Sequence, residues 1–311
     1  MKLSVIIPTH NPHAGRLQRT LAALRSQTLP VDQWETVLID NTSSPALVLT
    51  DWIAHAPANL RLICEATPGL SHARQHGFVE ARGEFAVLVD DDNVLAPDYL
   101  ATVLALFVAH PQIGAIGGRS RPEFDLPPPE WTNEFHSLLA LRDLGIAPLV
   151  SQGLRPTNLT RNEYPVFAPI GAGMALRRAA WTAWLHARAN DSSAISDRRG
   201  NELTSGGDND IVLCAMRAGW EVGYFPTLSL THLIPSGRLA PEYLARLNRG
   251  IQKSWMQVLT LHHANPWPPL APTGAALRKL KAWFTYQAWC SSSARIRWQG
   301  TCGHFDGRIK S

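Results

Sequence analysis

Five apolar residues, Phe85-Ala86-Val87-Leu88-Val89, run without a break into Asp90-Asp91-Asp92-Asn93. A run that short, apolar throughout and bounded by hard polar residues, reads as a strand buried on both faces, as in a parallel sheet covered by helices. Three carboxylates then stand together at its C-terminal end, although they repel one another. In open α/β sheets, ligands bind outside that edge. Two readings follow. The acids form a solvated turn that caps the next helix, or they face a hard divalent cation. Mg²⁺ or Mn²⁺ would suit, since both prefer oxygen ligands and bridge to substrate phosphates.

The preceding segments repeat the pattern. Leu3–Thr9 is a buried-strand run ended by Pro8-Thr9, and Leu17, Leu21 and Leu24 follow at helical spacing. Trp34–Ile39 is a second strand, ending in Asp40-Asn41. A helix is expected over Ala46–Ala56, a strand over Leu60–Cys64, and a helix over Ser71–Ala81 after the Pro68-Gly69 turn. Four strands alternating with helices predict a doubly wound, mostly parallel sheet. Three strand ends carry polar residues suited to a ligand: Thr9 and Asn11, Asp40, and Asp90 to Asp92.

Beyond the acidic stretch, a helix over Tyr99–Ala109 and a strand over Ile113–Gly117 are expected. From Ser120 to Pro165 the periodicity fails, and Pro127-Pro128-Pro129 marks a long excursion with no chemistry to read. Ile170-Gly171-Ala172-Gly173-Met174 is rich in small residues, which allow either a ligand or a packed helix to approach the backbone. Trp181–Ala189 is expected to be a helix. Ser205-Gly206-Gly207-Asp208-Asn209-Asp210 is a glycine turn feeding an acidic helix start, where Asp208 is either an N-cap or a catalytic base. Two further strands, Gly219–Phe225 and Leu228–His232, follow. His232 is a structural imidazole or a metal ligand.

In order, these pieces resemble an inverting, nucleotide-sugar-dependent glycosyltransferase of family 2. The resemblance rests on Val5-Ile6-Ile7-Pro8-Thr9-His10-Asn11, Val37-Leu38-Ile39-Asp40-Asn41 and Pro68-Gly69-Leu70-Ser71-His72-Ala73-Arg74. It continues through Ala81-Arg82-Gly83-Glu84-Phe85 into Asp90-Asp91-Asp92, then Gly171-Ala172-Gly173-Met174, Gly206-Gly207-Asp208-Asn209-Asp210 and Thr231-His232. Each motif is weak alone; seven in order over residues 3–260 are specific.

The resemblance implies a GT-A fold: a mostly parallel, mixed sheet flanked by helices, with a Rossmann-like nucleotide-binding half over 1–118 and an acceptor half over 119–265. It implies that Pro8, Thr9, Asn11 and Asp40 line the base and ribose site, and that Arg74 faces the phosphates. Asp90 would lie by the ribose, with Asp91 either beside it or structural. Asp92 and His232 would hold Mn²⁺ or Mg²⁺ on the diphosphate of a donor, a UDP-sugar in the favoured case. Gly171, Ala172, Gly173, Gly207 and Asp210 would border the donor sugar and acceptor. Asp208 would take the proton of an acceptor hydroxyl, free or lipid-linked, in surface glycan or polysaccharide synthesis. The sequence departs from the family at Gly207, where an acidic residue usually precedes the base.

Charge is distributed unevenly. The formal net charge is +4, but the segment from Ala275 to Ser311 holds seven Lys or Arg against one Asp, leaving the rest of the chain net acidic. The basicity is therefore no argument for a nucleic-acid-binding core. Residues 266–311 read as a basic, aromatic helical extension. Leu277, Leu280, Phe284 and Ala288 share one helical face, with Trp283, Tyr286, Trp289 and Trp298 nearby. That pattern fits an anionic membrane surface or a helix packed on the domain. The four scattered cysteines, the absence of a membrane-spanning run and the start directly into a strand suggest a cytoplasmic protein, peripheral to the membrane's inner face at most. Two rivals remain: a nucleotidyltransferase attacking a nucleoside triphosphate, and a non-catalytic sugar-nucleotide-binding relative.

Overall fold

A computed structural model describes residues 1–151, 164–189 and 203–310. Four strands lie parallel: β1 (Leu3–Thr9), β2 (Trp34–Asn41), β3 (Leu60–Glu65) and β4 (Phe85–Leu88). Every residue of β1, β2 and β4 is buried, as continuous apolar runs demand. Side chains alternate between two cores: Val5 and Ile7 face one, Ile6 the other. β2 also buries polar residues, among them Glu35, whose carboxylate accepts from Ser4 Oγ, Arg61 Nε and the backbone N–H of Arg82. A buried charge with every oxygen hydrogen-bonded is tolerated.

Helices α1 (Ala14–Arg25) and α3 (Tyr99–Ala109) contribute to the first core. The second receives α2 (Leu70–Glu80), α4 (Arg178–Ala189) and α5 (Gly207–Arg217). Phe78 of α2 stacks on Trp181 of α4 at 5.6 Å. The expected helix over Ala46–Ala56 is absent; Leu49–Asp51 forms one 3-10 turn, and Asp40 accepts backbone N–H groups from Ser43 and Leu47 within that connection.

The sheet continues through β5 (Asn93–Leu95), β6 (Ile113–Phe124), β7 (Leu149–Val150), β8 (Ala175–Arg177) and β9 (Glu221–Ile234), in the order β3-β2-β1-β4-β8-β6-β9-β5, with β7 also on β9. β8 is antiparallel to both β4 and β6, so the sheet is mixed. Two expectations are corrected here. β6 runs on to Phe124, well into the excursion, and the two late strands are one. β9 accommodates Pro226 by a register shift: its pairing with β6 jumps from Tyr224 to Ser229, which leaves the proline outside the ladder.

Three helices follow: α6 (Pro241–Leu261), α7 (Pro272–Thr285) and α8 (Ser292–Asp306). α8 lies close on α6 because Gly300 and Gly303 carry no Cβ; one at Gly303 would stand 2.1 Å from the Arg249 carbonyl oxygen. Asp306 pairs with Arg249 of α6 and with Lys279 of α7, joining the three helices. The stretch 152–163 of the excursion lies outside the described residues.

Candidate active site

A cavity of about 330 Å³ opens at the C-terminal ends of β1, β2 and β4. Pro8, Thr9 and His10 follow from β1, Asn41 and Thr42 from β2, and Asp90 to Asp92 from β4. The start of α2 contributes Gly69, Leu70 and Ala73. Gly69 is fixed by donating its N–H to Asn41 Oδ1 at 2.7 Å. The opposite wall comes from residues that sequence reasoning did not single out: Leu138, Leu139, Ala140, Leu203, Arg238, Tyr243 and Leu247.

The three aspartates diverge. Asp91 accepts from Thr9 Oγ1 at 2.5 Å. Burial, with Asp92 and Asp90 adding like charge, pushes its carboxyl up to about 6. Asp90 lies 4.0 Å from the Arg74 guanidinium. Asp92 is buried, with Oδ1 3.2 Å from His232 Nε2 and Oδ2 3.0 Å from Arg238 Nη2. The antiparallel pairing of Asn93 with His232 creates that juxtaposition, because it sets β5 directly against β9. Arg238 then arrives from the short 3-10 turn Ser236–Leu239. Burial works against the Arg238 cation, but Asp92, Tyr243, Asp90 and Asp91 outweigh it and hold the proton more firmly.

Asp92 and His232 fit a divalent cation once Arg238, which lies 3.0 Å from Asp92 Oδ2 and 3.1 Å from His232 Nε2, gives way. Their donor atoms are 3.2 Å apart, against an edge of about 3 Å for an octahedron with bonds near 2.1 Å. One or two protein ligands suffice when substrate phosphates and water complete the shell. His232 Nδ1 is buried without a hydrogen-bond partner among the described residues, while Nε2 lies 3.1 Å from Arg238 Nη1, which can only donate to it. A second group with convergent donors, Asp210, Cys214 and His262, does not fit. Arg188 bonds both Asp210 oxygens, Trp184 Nε1 donates at 2.7 Å, and His262 Nε2 is 2.7 Å away. Both Asp210 oxygens are thus already filled, and burial pushes the Cys214 thiol up to about 12, away from the thiolate a metal needs.

Asp208 has a different setting. It occupies the second position of α5, and Gly206 rather than Asp208 is the cap residue. Its Oδ2 accepts the Gly171 N–H at 2.8 Å, and its Oδ1 accepts from Arg74. A Cβ on Gly171 would lie 2.6 Å from both carboxylate oxygens, so only glycine permits this approach. Arg74 thus spans from Asp90 at the cavity to Asp208 on α5. Tyr164 and Arg142, which feel the Asp208 charge, line a second cavity beside Asn209.

Several expected residues stand elsewhere. Asp210 projects about 200° around α5 from Asp208 and is held inside the protein. Asp40 does not line the cavity; its carboxylate holds the Ser43–Leu47 loop. Asn11 is exposed and brackets the same loop through Ser43 and Ser44. Ala172 and Gly173 are buried in the core, where Gly173 adopts φ +77° and its carbonyl accepts from Tyr99. Gly207 is the buried first residue of α5.

The sequence model of glycosyl transferase family 2 matches residues 4–182, more than half of the chain. This chain belongs to glycosyl transferase family 2. Its curated relatives in the family are remote. The O-antigen biosynthesis protein RfbC of Myxococcus xanthus is 27% identical over 144 residues, which cover 42% of this chain and 11% of RfbC. The glycosyltransferase alr2836 of Nostoc sp. is 30% identical over 118 residues, or 37% of this chain and 36% of that protein. The chain therefore spans only about a tenth to a third of these relatives. Among solved structures, S. aureus TarS 1-349 in complex with UDP-GlcNAc superimposes with a TM-score of 0.51 at 17% identity, over 99% of this chain and 90% of TarS 1-349. The fold is that of a GT-A glycosyltransferase, a mixed sheet with flanking helices.

Within this site, Arg238 was the residue hardest to foresee. The available signal was a cation six residues after His232 in a site otherwise dominated by acids.

Proposed function

We propose that this glycosyltransferase moves a sugar from a nucleoside diphosphate, uridine in the favoured case, to an acceptor hydroxyl by one inverting displacement. The observation that carries the reading is the position of Arg74, between Asp90 at the cavity and Asp208 on α5. The nucleotide half, 1–118, would hold the donor, and the half over 119–265 the acceptor. UDP-GlcNAc bound to the TarS structure supports the donor class. The O-antigen name of the Myxococcus relative supports a glycan or lipid-linked acceptor.

The acceptor oxygen attacks the anomeric carbon from the face opposite the diphosphate. One C–O bond forms as the other breaks, and the electron pair departs with the nucleoside diphosphate. Asp208 takes the hydroxyl proton, which is far too weakly acidic to leave unaided at neutral pH. As the donor enters, its diphosphate offers Arg74 a second anion and loosens the clasp on Asp208. Arg238 contributes positive charge at the cavity wall where the leaving group gathers negative charge. Mn²⁺ or Mg²⁺ on Asp92 and His232 would neutralise further diphosphate charge.

The test is product analysis with UDP-, GDP- and dTDP-sugars and hydroxyl acceptors in the presence of Mn²⁺. The expected products are free nucleoside diphosphate and a glycoside with the anomeric configuration opposite to the donor's. Pyrophosphate released from a nucleoside triphosphate and a sugar phosphate would instead make the protein a nucleotidyltransferase.

A further inference from the structure

Helix α7 is amphipathic with its faces reversed. The side packed on the protein is small: Ala275 and Ala282 are buried, and Ala288 is buried just beyond the helix. The large apolar side chains point outward, with Leu277 at 69% exposure, Leu280 at 57%, Phe284 at 61% and Trp289 at 57%. Nothing among the described residues covers that stripe, so packing within them does not account for it. Nor is it a frayed end. Trp283 packs edge-on against Trp298 at 4.7 Å, Trp298 Nε1 donates to the Lys279 carbonyl, and the strand-like bridge between Leu270 and Ile309 pins the chain before α7 to the chain after α8.

The charges around the stripe indicate what covers it. Arg278 and Lys281 flank it on α7, and both are exposed. The one acid of residues 275–311, Asp306, is engaged by Arg249 and Lys279. A second copy of the chain would bring two such cationic faces together, which opposes self-association. An anionic surface is the complementary partner. A helix of 14 residues, about 21 Å long, is too short to span a bilayer but suits one lying in the headgroup plane. None of the described helices is long and apolar enough to cross a membrane. Trp289 and the adjacent Tyr286 are amphipathic aromatics of the kind favoured at that depth.

We propose that the α7 face docks the protein on the surface of an anionic lipid bilayer. Leu277, Leu280, Phe284 and Trp289 enter the headgroup boundary, and Arg278 and Lys281 meet lipid phosphates. This goes beyond the transfer reaction and does not depend on it.

Flotation of the full chain with vesicles tests the proposal. The chain should rise with vesicles of phosphatidylglycerol and phosphatidylcholine, stay down with phosphatidylcholine alone, and release as salt is raised. Leu280→Ser combined with Phe284→Ser alters two exposed positions, so the variant should keep its melting temperature. Its partitioning should weaken by about tenfold or more. Lys281→Glu should weaken binding to phosphatidylglycerol vesicles selectively. No flotation at low salt, or undiminished flotation of the double variant, overturns the proposal. So does a concentration-dependent dimer in sedimentation that the double variant abolishes, since a second copy would then cover the face.

Discussion

Arg74 donates to the carboxylate of Asp208 across 134 residues of sequence, and the same carboxylate accepts the Gly171 N–H. The candidate base is therefore held by two donors and shares its guanidinium with Asp90. A clasped carboxylate is well oriented but a reluctant proton acceptor until another anion engages Arg74. Asp208→Asn keeps the shape and removes the basicity. Transfer should fall by at least about a thousandfold, the upper range of general-base effects. Calorimetric binding of UDP with Mn²⁺ should persist. Turnover near that of the parent enzyme would remove Asp208 from the mechanism.

Gly171→Ala probes the same pair by displacement. The new Cβ would stand 2.5 Å from Arg74 Nη2 and 2.6 Å from both Asp208 oxygens. These atoms are side-chain ends, and Gly171 has no positive φ, so the fold absorbs the change. Stability should change by less than about 1 kcal/mol. The kcat should drop by about tenfold to a hundredfold, as misplacing a catalytic group by an ångström does. A large fall in melting temperature with kcat intact would show that Gly171 serves packing instead.

The strands and the polar residues at their ends were legible in the sequence because buried parallel strands leave continuous apolar runs. The choice between Asp208 and Asp210 was also within reach. Two residues apart on a helix they face opposite ways, so one can look to the site while the other is held inside the protein. Other parts were hidden for physical reasons. Leu138 to Ala140 end a run of 3-10 turns, Glu130–Leu139, that follows the triple proline and carries no simple period. Arg238 comes from a four-residue turn, where spacing predicts nothing. Periodicity did find the face of Leu277, Leu280 and Phe284, though not Ala288, which lies beyond the end of α7 and is buried, and it cannot tell whether a face points inward. The alanines opposite determine that, through how closely α7 approaches its neighbours.

Arg238 and a divalent cation compete for Asp92. Arg238→Gln removes a positive charge 3.0 Å from that carboxylate while keeping a shorter polar side chain. Mn²⁺ should bind the variant about tenfold more tightly, the effect of about one pKa unit of charge–charge interaction. Without metal the variant should be less stable by about 1–3 kcal/mol, because a buried carboxylate loses its partner. Added Mn²⁺ should therefore raise its melting temperature more than it raises the parent's. Unchanged or weaker Mn²⁺ affinity would mean that the ion and Arg238 do not share Asp92.

Asp91 gives the protein a measurable pH dependence in the presence of a chelator. Its folded pKa of about 6 lies above the ordinary 3.8, since burial and the charges of Asp92 and Asp90 disfavour the anion. Between those values the native state binds the extra proton, so stability falls as pH rises through the window. The stabilising effect is complete below about pH 4 and gone above about pH 6–7, a difference on the order of 2–3 kcal/mol. Asp91→Asn still offers an oxygen to Thr9 but cannot ionise. In chelator, the melting temperature of the variant should exceed the parent's at pH 7.5, and the two should converge toward pH 4. Taking the difference between them cancels the contributions of other titrating groups. Parallel curves across the range would mean that Asp91 carries its charge in the folded protein as easily as in the unfolded chain.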